Sequence, residues 1–328
     1  MIRLSQARRV LVLCLALALP TGALAQDFPL TIEHAFGTTT IPERPARVAT
    51  VAWANHEVPL ALGVVPVGFA RANFGDDDGD GILPWVAERL DELGAEAPPL
   101  FDEGDGIDFE AVAASEPDVI LAAYSGLSQS DYETLSKIAP VVAYRDGPWA
   151  TDWREMIRLN AAGMGRADDG EALIGELEAE IAAVAARHPE IAGKTAMFVT
   201  HLDVRDLSVV RFYTTHDSRV KFLADLGLVS PASVREASAG GRFSGEISAE
   251  KIDAFADVDL VVSYGNAQVM AAIDGNPLTG KMPAVAKGAV VLLGDDPVGT
   301  AANPTPLAIP YVLEDYAGRL SEAARRSE

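Results

Sequence analysis

Short apolar runs rich in β-branched residues recur along this chain: Arg47–Ala52, Val64–Phe69, Asp118–Ala123, Val141–Tyr144, Lys194–Thr200, Val209–Tyr213, Asp259–Tyr264 and Ala289–Leu293. Runs that stay apolar at consecutive positions suit strands covered on both faces. Between them apolar residues fall at helical spacing, in Val58–Leu62, Asp108–Ser115, Asp131–Ile138, Asp152–Ala162, Asp168–Arg187, Ser218–Leu226, Ser248–Phe255 and Pro310–Ala324. Gly63, Pro140 and Gly227 punctuate the pattern, because glycine ends helices in a left-handed turn and proline cannot continue them. Strand and helix alternating in this way predict an α/β fold with mainly parallel sheets and helices on both faces.

Two features of the pattern bear on function. Trp53-Ala54-Asn55-His56-Glu57 sits just past the carboxyl end of the first buried run, where ligands bind in open α/β sheets. Asp168–Arg187 runs without proline, with Leu173, Leu177, Ile181 and Val184 at helical spacing. At 1.5 Å per residue it reaches roughly 30 Å, suiting either a core helix or a strut between two lobes. Ser248 is placed as the N-cap of the Ser248–Phe255 helix.

The N-terminus reads as an export signal: Arg3, Arg8 and Arg9, then the apolar Val10–Leu19, Pro20, and Ala23-Leu24-Ala25 as a small-residue cleavage site. The apolar run is short for a membrane span. Cys14, the only cysteine, lies inside this segment rather than just after the cleavage point. The expectation is therefore a soluble exported protein cleaved after Ala25, with no lipid anchor, disulfide or thiol chemistry. Cleavage removes three of the 26 basic residues and none of the 48 acidic ones, taking the formal charge from −22 to −25. Such acidity argues against nucleic acid or anionic lipid as partner.

No phosphate loop, dinucleotide fingerprint, nucleophile elbow or zinc-protease pattern occurs, which favours a binder over an enzyme. Asp76-Asp77-Asp78-Gly79-Asp80-Gly81 resembles the start of a calcium loop, but position twelve, which needs a bidentate glutamate, is Ala87; a solvated acidic turn is the simpler reading. His56 and His201 each follow a predicted strand and, with Asp295 or Asp296, make a candidate transition-metal set between the two halves, although no two histidines have local ligand spacing. Aromatics and arginines gather at strand exits, among them Trp53, Arg71, Phe74, Tyr124, Arg145, Trp149, Arg211, Tyr213, Arg242, Phe243 and Tyr264. Aromatic walls with a few guanidinium groups suit a bulky, oxygen-rich ligand.

Several short segments in one order resemble the periplasmic iron–siderophore binding proteins of ABC importers. They are Arg47-Val48 with Trp53 and Glu57, Leu62–Gly68, Asp108-Phe109-Glu110 with Glu116–Leu121, Tyr132–Pro140, and Ile247–Glu250 with Asp257–Leu260. The resemblance spans about Ile41 to Glu314. It implies the class III binding-protein fold: two Rossmann-like lobes joined by a single long helix, with small closure because a helix resists bending. Residues 26–166 would form the first lobe, 167–188 the connecting helix and 189–328 the second lobe. The ligand would be a ferric siderophore held in the inter-lobe cleft, with no intrinsic cofactor, and the protein a monomer that delivers it to an inner-membrane permease. Trp53, Tyr124 and Phe243 would be cleft walls and Arg71 and Arg242 polar clamps. Glu133 and Glu250, one per lobe, would dock on the permease.

One departure matters. The ferric-hydroxamate binders, which the layout resembles most, carry an arginine shortly before the segment matched by Asp108-Phe109-Glu110. This chain has Asp102-Glu103-Gly104-Asp105 there. Carboxylates at that place disfavour an anionic chelate, so a neutral or cationic complex such as a trihydroxamate is expected over a catecholate. A heme or corrinoid binder on the same fold, a bare metal binder using His56, His201 and Asp295, and an exported hydrolase stand as alternatives.

Overall fold

A computed structural model describes residues 27–200 and 204–328. An antiparallel hairpin opens it, β1 (Leu30–His34) with β2 (Gly37–Ile41). The first sheet then follows in chain order: β3 (Val48–Thr50), β4 (Phe69–Ala70), β5 (Leu100–Phe101), β6 (Val119–Ala122) and β7 (Val141–Ala143). β3, β6 and β7 pair in parallel, as do β4 and β5. A parallel bridge at Ala49 and Gly68 joins the two groups, with Val67 donating to the Val48 carbonyl at 2.8 Å. The Val64–Phe69 run yields so short a strand because Pro66 has no N–H for a ladder.

The second sheet contains β8 (Ala196–Val199), β9 (Val209–Tyr213), β10 (Ser244–Ser248), β11 (Leu260–Tyr264) and β12 (Val290–Leu293), in the order β10-β9-β8-β11-β12. β8, β11 and β12 are parallel, while β9 runs antiparallel to both neighbours. The helix expected from Ser248 is not there. Ser248 ends β10, and only a 3₁₀ turn, Ile252–Phe255, follows. Pairing of Ser244–Ser248 with Val209–Tyr213 overrides the local helical pattern, as tertiary pairing routinely does.

Asp108, Asp152 and Asp217 cap the helices Phe109–Ala114, Trp153–Gly163 and Ser218–Asp225 by accepting backbone N–H bonds, and Ser128 forms a capping box with Asp131 on Gln129–Leu135. The mid-chain helix runs Ala167–Ala185 and buries Ile174, Leu177, Ile181 and Val184. It packs on Trp153–Gly163 and on the last helix, Ala308–Arg326. Among the described residues no helix is long and apolar enough to cross a membrane.

Polar bridges tie the lobes. Trp153 Nε1 and Arg154 Nη1 both donate to Asp225 Oδ2, at 3.0 and 2.9 Å. Lys221 pairs with Asp152 at 3.1 Å. Glu57, fully buried, accepts from Trp85 Nε1 at 2.8 Å and from the Leu307 and Ala308 N–H groups at 2.9 and 3.3 Å. The last two donors open the final helix, where its dipole favours a carboxylate.

Candidate functional site

The exits of the first sheet's strands converge on a cleft of about 570 Å³, closed on its far side by residues of the second lobe. The corner after β3 is unusual backbone. Ala52 and Ala54 both lie in the left-handed region, at φ 60° and 59°, a conformation non-glycine residues adopt at some cost and mostly where surroundings hold them. The holder is Asn55, fully buried. Its Nδ2 donates to the Val51 and Tyr124 carbonyls, each at 2.8 Å, and its Oδ1 accepts from Tyr124 N–H and Asn160 Nδ2, each at 3.0 Å. One side chain thus ties the exits of β3 and β6 to the Trp153–Gly163 helix and fixes both Trp53 and Tyr124 on the cleft wall.

Trp149, which also lines the cleft, sits at φ 58° and donates its N–H to the Ser125 carbonyl at 2.9 Å. Its ring meets Tyr124 edge-on, centroids 5.3 Å apart, and covers Gly126 so closely that a Cβ there would fall 2.5 Å from Trp149 Nε1. Gly126→Ala is therefore expected to push the indole off the wall. Ligand affinity should fall about tenfold, the size of one lost aromatic contact, with a shift in tryptophan emission; unchanged emission and affinity would show the ring is free to move.

From the second lobe come Tyr213 at the end of β9, Arg219 in the first turn of Ser218–Asp225, Phe243 just before β10, and Asn303, whose Nδ2 reaches Tyr124 Oη at 3.4 Å. Arg219 is nearly buried. Its Nε and Nη2 donate to the two oxygens of Asp217 at 2.8 and 2.7 Å, and its guanidinium lies 3.8 Å from the centre of the Tyr213 ring. Burial by itself lowers its pKa, but the hydrogen bonds and charge of Asp217 hold it well above the ordinary value. Arg219 is thus a fixed cation in an apolar wall. Burial pushes the phenols of Tyr124 and Tyr213 up to about 12, so both remain neutral hydrogen-bond groups.

The first lobe contributes opposite charge. Glu103 follows β5, and both of its oxygens accept from the Ala52 N–H, at 2.9 and 3.2 Å. Burial raises its pKa to about 7, against that hydrogen bond and helped by the charge of Asp108.

Of the residues the sequence singled out, Trp53, Arg71, Tyr124 and Phe243 line this cleft together. Arg242 does not. It is exposed, and its carbonyl accepts from Thr214 Oγ1 at 2.5 Å. The buried guanidinium that the sequence reading missed is Arg219. Its signal was Asp217 two residues earlier, an aspartate able both to cap the helix and to pair with it.

His56 also lines the cleft, stacked on Phe69 at 4.3 Å, and burial lowers its pKa to about 3, leaving it neutral. Asp295 is exposed and Asp296 caps the Pro297–Ala301 helix; neither gathers with His56 into a ligand set among the described residues. His201 lies outside those residues. The carboxylates of Asp76, Asp78 and Asp80 do come together, but Asp76 is bonded to the N–H groups of Gly79 and Gly81, both at 2.8 Å, and Ala87 lies within the Pro84–Glu92 helix, so the loop closes on itself as an acidic turn. Glu133 is exposed on Gln129–Leu135, and Glu250 is exposed just after β10.

Residues 48–297 match the model of a family described as periplasmic binding protein. The chain belongs to that family. It is similar to PiaA of Streptococcus pneumoniae, solved in complex with ferrichrome, at 43% identity over 91% of this chain and 99% of that one, with a TM-score of 0.87. A periplasmic solute binding protein from Mycobacterium smegmatis has 25% identity, covering 90% of this chain and 98% of its own, with a TM-score of 0.72. Among curated proteins, the "Probable siderophore-binding lipoprotein YfiY" of Bacillus subtilis is 26% identical over 71% of this chain and 67% of its own length. Membership makes this an extracytoplasmic binding protein of the two-lobed α/β type, as the sequence pattern predicts.

Proposed function

We propose that the protein is the substrate-binding component of an ABC importer for a ferric siderophore of the hydroxamate type. The observation that carries this is the fixed cation Arg219 within an aromatic wall, Trp53, Tyr124, Trp149, Tyr213 and Phe243, contributed by both lobes to one cleft. A ferric trihydroxamate presents a ring of oxygens around iron and apolar methylene arms. Guanidinium and phenol groups donate to the oxygens, and the rings cover the arms. Trp149 and Phe243, 37% and 42% exposed, are apolar surface left open for such a ligand. Iron arrives already chelated, so the protein needs no metal ligand or bond chemistry of its own. The 43% identity to PiaA, solved with ferrichrome, supports the same reading.

The finer assignments follow the same logic. Lobes of residues 26–166 and 189–328 are joined by 167–188. Glu133 and Glu250, exposed on different lobes, meet the permease in the inner membrane. The mature protein is a soluble periplasmic monomer cleaved after Ala25; although YfiY is named a lipoprotein, Cys14 stands within the apolar segment here.

Native mass spectrometry of the protein isolated from iron-starved source cells tests the ligand class. The expected result is a one-to-one complex whose added mass contains iron and a hydroxamate chelator. Heme, a corrinoid or bare metal as the added mass would replace this reading.

A further inference from the structure

We propose that Glu103 makes the cleft selective by charge, admitting neutral and cationic ferric chelates and rejecting anionic ones at neutral and higher pH. This rests on the siderophore reading above and adds to it which residue sorts one chelate from another.

The geometry is specific to this side chain. Glu103 lines the cleft beside the Ala52–Ala54 corner and is held there by the Ala52 N–H, which takes both carboxylate oxygens. No basic side chain among the described residues pairs with it. Arg219, the buried cation of the same cleft, is already neutralised by Asp217. The Arg219–Asp217 pair therefore offers hydrogen bonds with little net charge, while Glu103 adds an uncompensated negative charge when ionised. A chelate entering the cleft displaces the water that screens it, so the charge is felt more strongly in the complex than in the open cleft.

The remaining charged and titratable groups are mostly acidic, and the basic one among them, Arg71, has Asp76 in its field. Asp102 and Asp105 flank Glu103 in its own turn, and Asp108, which caps the next helix, adds to its field. Asp131 reaches the cleft from Gln129–Leu135, Arg71 stands exposed at its mouth after β4, and His56, at the start of the Glu57–Ala61 helix, is neutral. Glu103 exchanges its proton near pH 7. Its raised pKa means the neutral acid persists up to that range, and the repelling charge develops only as pH climbs through it. An anionic chelate should thus bind more weakly as pH rises, while a cationic one gains.

The test uses one linear ferric trihydroxamate in three forms that share the same iron centre: a terminal amine, its neutral acetamide, and its succinamic acid. Their charges stay fixed between pH 5.5 and 8.5. Binding of each to the purified mature protein is measured by tryptophan fluorescence at both pH values. At pH 8.5 the cationic form should bind about a hundredfold more tightly than the anionic one, because two charge units separate them and each is worth about tenfold over roughly 10 Å at an effective dielectric near 20. At pH 5.5 the ratio should approach one. In Glu103→Gln, whose amide oxygen keeps the Ala52 bond, the ratio should stay near one at both pH values; in Asp105→Asn, at the exposed rim, the wild-type change should persist.

If all three forms bind equally at both pH values, Glu103 is not a selector, although the siderophore reading stands. A ratio that persists in Glu103→Gln also overturns the proposal and places selectivity in the general surface field. If none of the forms binds, the siderophore reading itself fails. Should Glu103→Gln not fold, the wild-type ratio alone still decides, since a ratio independent of pH contradicts a group titrating near 7.

Discussion

Replacing Arg219 with alanine should lower affinity for a ferric trihydroxamate about a hundredfold, mainly through faster release. Truncating one member of a buried, hydrogen-bonded charge pair typically costs about 2–5 kcal/mol in binding, and Arg219 is such a group: bidentate to Asp217, stacked on Tyr213 and facing the cleft. The alanine variant also strands Asp217, which is 1% exposed, so circular dichroism must accompany it. Arg219→Lys separates the two effects. It keeps a cation for Asp217 but loses the planar fork and the stacking, so a folded protein with affinity reduced about tenfold is expected. Wild-type affinity in both variants would move the polar contact to another residue.

The largest effect on stability is expected at Glu57. Alanine there leaves Trp85 Nε1 and the Leu307 and Ala308 N–H groups without their acceptor in a fully buried site. Each buried donor left unpaired costs about 1–3 kcal/mol, so a loss of about 3 kcal/mol or more is expected in urea unfolding. Glu57→Gln, retaining one acceptor oxygen, should lose less. Because Glu57 lies in the first lobe and its backbone donors open the final helix, the alanine variant should also loosen the lobes relative to each other. Faster hydrogen exchange at Leu307 and Ala308 would report this. A Glu57→Ala protein as stable as wild type would mean that the lobes are held by other contacts, among them the Asp225 and Lys221–Asp152 bridges.

The strands that the sequence marks clearly are those buried on both faces. Asp118–Ala123 and Asp259–Tyr264 are apolar at almost every position because helices cover both sides, and β6 and β11 fall within them. What local pattern does not carry is pairing over distance. β10 lies more than thirty residues beyond β9 and its antiparallel partnership is set by register, Glu246 against Arg211 for example; its own residues, Ser-Gly-Glu-Ile-Ser, show no strong preference. The Ser248 error has the same source. The helix Pro84–Glu92 carried a readable signal in Pro84 at its first turn that went unused.

The cleft was legible where chemistry and position coincide. Trp53 and Tyr124 are aromatics at strand exits, which converge in this fold, and the antiparallel pairing of β10 with β9 brings Phe243, just before β10, to the same end as Tyr213. Arg219 was obscured because an arginine in the first turn of a helix reads as a solvated charge; only the folded chain shows that Asp217 and Tyr213 enclose it. Glu103 was legible as part of an acidic turn, but that it alone of Asp102, Glu103 and Asp105 enters the cleft depends on the left-handed Ala52, whose N–H it takes. Asn55, the residue that locks the whole corner, looked like any polar loop residue. Its role rests on four bonds to partners as far as Asn160.

Equilibrium titration of the mature protein with a neutral cyclic ferric trihydroxamate, followed by tryptophan fluorescence and repeated with hemin and with zinc or manganese salts, bears most directly on this account. The expected result is saturable one-to-one quenching of Trp53 and Trp149 with a Kd of about a micromolar or tighter, and no comparable binding of hemin or the free metals. Stoichiometric binding of hemin or bare metal, with the trihydroxamate leaving the fluorescence unchanged, would contradict it.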